Sequence, residues 1–175
     1  FCFVGRMARQ KGLDMLVKVA KRIVELDANL VILGSGSPNI EKSVKKLEQK
    51  YPQNIRAEIL YSEELAHKIY AGSDFIIIPS RYEPCGLIQM IAMSYGTLPI
   101  ASKTGGLKDT IKNNSTGFLF EPGHVVGLRK KIKKAVSIVK SDKKKHERMV
   151  ERAMNADFSW RKSARIYKKL YQEML

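Results

Sequence analysis

The stretch PSRYEPCGLIQM, residues 79–90, places an arginine, a tyrosine, an acid, a thiol and a glycine between the apolar run Phe75-Ile76-Ile77-Ile78 and a second apolar segment. A plain connection out of a buried strand is short and neutral, so this one reads as built to face a ligand. Glu83 can accept hydrogen bonds from sugar hydroxyls. A helix predicted from Gly86 and Leu87 to Tyr95 would offer free N–H groups to phosphate oxygens, with Gly86 letting the ligand approach the backbone. A thiol at such a helix start, Cys85, is open to partial activation. Nucleophilic chemistry would also need a base, and His67, His124 and His146 lie on helical segments or far from this loop. Cys85 therefore reads equally as a packed small residue or as a ligand contact.

Two other loops share this character. Residues 5–12, GRMARQKG, present cations directly after a strand. The planar fork of Arg6 and the point charge of Lys11 together suit a diphosphate leaving group, although basic loop residues are also ordinary surface. Residues 102–107, SKTGGL, bring the hydroxyl of Thr104 with Gly105 and Gly106 to another helix start. Alone that is an ordinary turn; beside the other two loops it favours a phosphate site. Tyr61 can stack on a base or cap the core. Gly34-Ser35-Gly36 begins like a dinucleotide fingerprint but lacks the third glycine. No metal-ligand cluster, Walker loop or G-x-S-x-G elbow occurs in the sequence. Cys2 and Cys85 form no disulfide framework or zinc spacing, which points to a reducing compartment and to Cys2 as inert core.

These loops need a frame that brings them to one edge. Strand-like runs at residues 2–5, 30–33, 55–60, 73–79, 98–101 and 117–120 alternate with helical patterns such as Leu13, Leu16, Val17, Ala20, Ile23 and Val24. That alternation predicts an α/β fold, a Rossmann-like parallel sheet flanked by helices, with right-handed crossovers. Ligands in such sheets sit beyond the carboxyl ends of the strands, where all three loops fall. The chain has 175 residues, 44% of them apolar, enough for a full core. No apolar run approaches the roughly 20 residues that span a bilayer. An opening in mid-strand predicts a piece of something longer. The net charge of +15 raises the question of nucleic acid. About half of the Lys and Arg residues fall between Arg129 and Lys169, spaced among apolar residues as on the wet face of packed helices. An acidic partner surface or steering of an anionic substrate is the other reading of that charge.

Matching pieces run from end to end: GRMARQKGLDML, ILGSG, YSEELAHKIYAGSDF, PSRYEPCGLIQMIAMSYGTLPI, TGGLKDTI, TGFLF and DFSWRKSARIYKKLY. Together they resemble the C-terminal domain of starch and glycogen synthases of the bacterial and plant type, ADP-glucose-dependent enzymes of glycosyltransferase family 5. Wider relatives often carry a second glutamate eight residues after the first, where this chain has Ile91, which favours the synthase branch. Ile88 stands where many relatives have Thr, and plant members also carry Ile.

The resemblance implies one half of a two-domain GT-B enzyme with its active site in the cleft between the halves. Residues 1–156 would be the Rossmann-like nucleotide-sugar-binding domain, and 157–175 a helix crossing toward the missing N-terminal domain. It further implies a retaining transfer of glucose from ADP-glucose to the non-reducing end of an α-1,4-glucan, with no metal or other cofactor. Arg6 and Lys11 would hold the diphosphate, Tyr61 the adenine and Glu83 the glucose. Cys85, Gly86, Leu87, Thr104, Gly105 and Gly106 would line the same pocket, with Glu83, Arg6 and Lys11 as the catalytic groups. The partners implied are nucleotide sugar and glucan, with neither nucleic acid nor membrane; the location is bacterial cytoplasm or plastid stroma. The family's Lys-x-Gly-Gly-Leu motif is absent, so the chain alone should bind nucleotide weakly and turn over nothing. The alternatives are another retaining GT-B transferase, a non-catalytic nucleotide-sugar or glucan binding module, and a nucleic-acid module, which steep salt dependence would reveal.

Overall fold

Four consecutive apolar residues suit a strand covered on both faces, and Phe75–Ile78 (β4) is buried along its whole length. The other strands are Cys2–Val4 (β1), Leu30–Leu33 (β2), Ile55–Glu58 (β3), Leu98–Ser102 (β5) and Phe118–Phe120 (β6). In the computed structural model, which describes residues 1–174, they form one six-stranded sheet ordered β3-β2-β1-β4-β5-β6. Every neighbouring pair is parallel. The helices are Leu13–Glu25 (α1), Pro38–Lys50 (α2), Glu63–Ala71 (α3), Ile88–Ser94 (α4), Gly105–Thr110 (α5), Val125–Ser141 (α6), Lys143–Met154 (α7) and Trp160–Met174 (α8).

Alternate strand residues feed two cores. Phe3, Ile32, Phe75, Ile77 and Ile100 pack with Leu16, Val19 and Ile23 of α1, Val44 of α2 and Leu128 and Ile132 of α6. Cys2, Leu33, Ile76, Ile78 and Ala101 pack with Ile69 and Tyr70 of α3 and Leu107 of α5. Each buried Leu or Ile contributes about 1.5–3 kcal/mol. The same alternation explains the basic helices. In α6, Leu128, Ile132, Ala135 and Val136 face the core while Arg129, Lys130, Lys133 and Lys134 are exposed. No helix among the described residues is long and apolar enough to cross a membrane.

The strand order reverses between β1 and β4: the chain leaves β1 toward β2 on one side and β4 toward β5 on the other. A crevice opens at such a point, outside the carboxyl ends of the strands. Several expected boundaries move. Strand β3 ends at Glu58, short of Leu60 and Tyr61. Ser37 precedes α2 without a side-chain cap bond, and Glu41 Oε1 instead accepts from the Gly36 N–H at 2.7 Å. Ser62 caps α3 as expected, its hydroxyl accepting from the Leu65 N–H at 3.1 Å. Helix α8 buries none of its residues, and Trp160 is 88% exposed.

Candidate functional site

Glu83 is the buried acid at this edge of the sheet. It lies in the loop after β4 and is only 7% exposed, so its charge needs a partner. Lys11, on the loop after β1, supplies one: its ammonium sits 2.5 Å from Glu83 Oε2. The hydroxyl of buried Ser80 donates to the same oxygen at 3.0 Å. The other carboxylate oxygen, Oε1, has no hydrogen-bond partner among the described residues. The site therefore holds an acid with one oxygen engaged and one open to a hydroxyl.

Arg6 and Tyr61 meet elsewhere on the same edge. They line a pocket of about 300 Å³ with Gly34, Ser35, Glu63, His67, Tyr70 and Ile91, at the ends of β1 and β2 and the start of α3. Arg6 makes no ion pair among the described residues. Tyr61 is 86% exposed, which excludes the core-capping role. Ile91 gives this pocket an apolar wall at the position where wider relatives often carry a second acid. His67 Nδ1 lies 2.9 Å from the Tyr95 hydroxyl. Burial raises the Tyr70 phenol to about 12.

The loop after β5 supports the acid from behind. Thr104 precedes α5, and the Gly106 N–H donates to the carbonyls of Glu83 and Pro84 at 3.1 and 3.2 Å. A Cβ on Gly106 would lie 2.7 Å from the Cys85 carbonyl carbon and 2.8 Å from its Cα, so the two loops pack backbone on backbone. Gly105 similarly abuts the Glu83 carbonyl. Gly106 is thus required for its lack of a side chain, and Gly105, at φ +42°, for its backbone conformation as well.

One expectation is corrected here. The helix after Glu83 begins at Ile88, with Leu87 as its preceding residue; Gly86, at φ +73°, belongs to the turn. The buried amide of Gln89 stabilises this turn by donating to the Gly86 carbonyl at 2.7 Å and to Thr110 Oγ1 at 3.0 Å. Gly86 therefore lies in the turn that leads into this helix and not in its first turn. Cys85 is exposed, not a packed core residue, and Leu87 is 65% exposed over a separate apolar groove with Met90, Met154 and Phe158.

Sequence reasoning missed the groups that hold the loops together. Arg81 forms a two-pronged ion pair with Asp14 of α1, both contacts 2.7 Å. Its guanidinium holds the Asp14 carboxyl below the usual carboxylate range. Ser80 and Gln89 are also unread by sequence, and only an acid in the first turn of α1 could have signalled Asp14. His67 entered that reading only as a base for Cys85, whereas the structure puts it in the pocket with Tyr61.

A family model described as Glycosyl transferases group 1 matches residues 1–156. The glycogen synthase of Desulfitobacterium hafniense is 43% identical over 177 residues, covering 98% of this chain and 38% of that protein. The glycogen synthase of Thermodesulfovibrio yellowstonii is 42% identical over 173 residues, covering 99% and 35%. The catalytic domain of starch synthase IV from Arabidopsis thaliana, solved bound to ADP and acarbose, superposes with a TM-score of 0.89 at 38% identity, covering 98% of this chain and 37% of that one. The chain thus spans under two-fifths of the length of these curated relatives.

Proposed function

The chain belongs to the group 1 glycosyl transferases, and from that premise we propose that it is the nucleotide-sugar-binding half of a retaining glucosyltransferase. The donor is ADP-glucose and the acceptor an α-1,4-glucan, as in starch and glycogen synthases. Residues 1–156 form the Rossmann-like domain of a two-domain GT-B enzyme, and 157–175 the segment that returns toward the other half. The exposed apolar side chains of α8 agree with that arrangement.

The observation that carries this reading is the half-engaged acid: Glu83, buried beside Lys11, with Oε1 open to a hydroxyl. Transfer breaks the bond between glucose C1 and a diphosphate oxygen, so negative charge grows on the leaving ADP and positive charge on the sugar. Arg6 and Lys11 stabilise the first, Lys11 by exchanging Glu83 for the diphosphate as the donor binds. Glu83 holds the donor sugar's hydroxyls and favours the second. Tyr61 stacks on the adenine at the pocket that Arg6 also lines. Cys85, Thr104, Gly105 and Gly106 shape the space around the sugar, and closure against the other half excludes water.

The test is glucose transfer to glycogen by the full-length enzyme, with ADP and UDP compared as competitors. ADP should compete more strongly. Glu83→Ala should lower turnover about a hundredfold, since losing one preorganised group typically costs about 3 kcal/mol. A variant that keeps most of its rate would remove Glu83 from the chemistry.

A further inference from the structure

We propose that Arg81 and Asp14 are positioning residues that act through Lys11, holding its loop where the ammonium reaches Glu83 at rest and the diphosphate during transfer; this rests on the glucosyltransferase reading above. Lys11 and Glu83 are 72 residues apart and hang from different strands, so their meeting depends on how the two loops are tied. The ties converge on Arg81. Its guanidinium donates to both oxygens of Asp14 at 2.7 Å, and the same Nη1 donates to the Arg9 carbonyl at 2.7 Å. Its backbone N–H donates to the Gln10 carbonyl at 2.8 Å. In return Gln10 Nε2 donates to the Tyr82 carbonyl at 3.1 Å.

Except for Asp14, these partners lie within two positions of Lys11 or Glu83 in the sequence. Asp14, on the first turn of α1, anchors the clamp to a rigid element whose N-terminal end favours an acid. The loops touch through backbone as well: Gly12 has φ +70°, and a Cβ there would collide with the Pro79 carbonyl. Arg81 is absent from the lining of the Arg6–Tyr61 pocket. A partly exposed ion pair contributes little to global stability, but a planar two-pronged fork fixes direction as a point charge does not. Displacing Lys11 by about an ångström is enough to cost up to a hundredfold in rate.

The test is a double-mutant cycle in the full-length enzyme, read as kcat and donor KM for transfer from ADP-glucose to glycogen, with thermal melts on every variant. Arg81→Lys keeps the charge and loses the fork; Asp14→Asn keeps the shape and loses the charge. Each should lower kcat about tenfold, with donor KM changed less than about threefold and melting close to wild type. In a Lys11→Ala background the same two changes should lower kcat by less than about twofold, because the residue they position is gone. Penalties that multiply undiminished in that background, or single variants with wild-type kcat, overturn the inference and leave the functional reading standing. A Lys11→Ala enzyme with wild-type kinetics overturns the functional reading and this inference together. Both substitutions preserve side-chain bulk, so the result does not depend on a truncated variant that fails to fold.

Discussion

Gly106→Ala sets helix propensity against packing, and the structure decides the sign. Gly106 lies in the first turn of α5. In an open helix, replacing Gly by Ala stabilises by about 1 kcal/mol. Here the new methyl would meet the main chain of Cys85, 2.7 Å from its carbonyl carbon and closer to the oxygen. No flexible side-chain end can swing away, so the 83–86 turn must retreat by about an ångström. Forcing one carbon into a packed site costs about 1–3 kcal/mol. Retreat also weakens the Gly106 N–H bonds to the carbonyls of Glu83 and Pro84, a further loss of about 1 kcal/mol. The balance is a destabilisation of about 1–3 kcal/mol. At about 2–4 °C per kcal/mol for a chain of this size, that is a fall of several degrees in the melting point. On the proposed function, the displaced turn carries Glu83, so ADP-glucose binding by the full-length enzyme should weaken as well. Gly127→Ala is the control: its Cβ would meet His124 Nδ1 at 2.8 Å, and His124 is an exposed side chain free to rotate. That variant should be neutral or up to about 1 kcal/mol more stable. Calorimetric melts showing Gly106→Ala at or above the wild-type melting point would refute the reasoning, because α5 could then not be pressed against the acid's loop.

Tyr61→Ala should weaken ADP binding about tenfold or more by titration calorimetry, in line with about 1–3 kcal/mol for base–aromatic stacking. Its melting point should not change, since the ring is 86% exposed. Burial pushes the Cys2 thiol up to about 11, whereas Cys85 is exposed. Iodoacetamide at pH 8 should therefore label Cys85 in the native protein and reach Cys2 only after denaturant is added, as read by peptide mass spectrometry. Asp14 is held below its ordinary value of 3.8 by Arg81. A depressed folded-state pKa contributes stability above the unfolded value and loses it as pH falls through the folded one. Asp14→Asn should thus cost under about 1 kcal/mol at pH 5–7, the pair being partly exposed, and the gap should close below pH 3.8 in urea titrations.

The frame was legible because its signals are local. The apolar run of β4, the alternation of strands with helices and the Ser62 cap each depend on neighbours in the chain, and each reappears in the structure. For the candidate site, the sequence pointed to loops at one edge of the sheet and could not show how their residues group. Arg6 and Lys11 read as one phosphate clamp on one loop, yet Arg6 opens into the pocket with Tyr61 while Lys11 turns onto Glu83. No local rule could join residues 11 and 83, because the contact depends on which strands are neighbours and on the height of two loops. The start of α4 was misread for a related reason. Gly86 looks like a permissive first residue, but its positive φ is used by a turn that the Gln89 amide closes from inside the helix. Asp14 and Arg81 were overlooked as an ordinary helix acid and an ordinary loop base, since a two-pronged pair is visible only in three dimensions.

On the proposed reading, the resting pair gives a physical reason for a nucleotide sugar to bind here better than a nucleotide. Glu83 is buried, and removing one partner of a buried ion pair costs up to about 3–5 kcal/mol. A bare diphosphate that draws Lys11 away leaves the acid with Ser80 alone, so part of the new attraction goes to offsetting that loss. A diphosphate joined to a hydroxyl-bearing sugar supplies both replacements in one molecule: oxygens for Lys11 and hydroxyl donors for Glu83. The exchange then leaves no charge unpaired, and Lys11, 23% exposed on a flexible stem, can make the move while Ser80 keeps the acid in place. On the proposed reading, selectivity for the intact donor over its leaving group follows from this exchange of partners, and depends on the two loops being held at the spacing that Arg81 and Asp14 set.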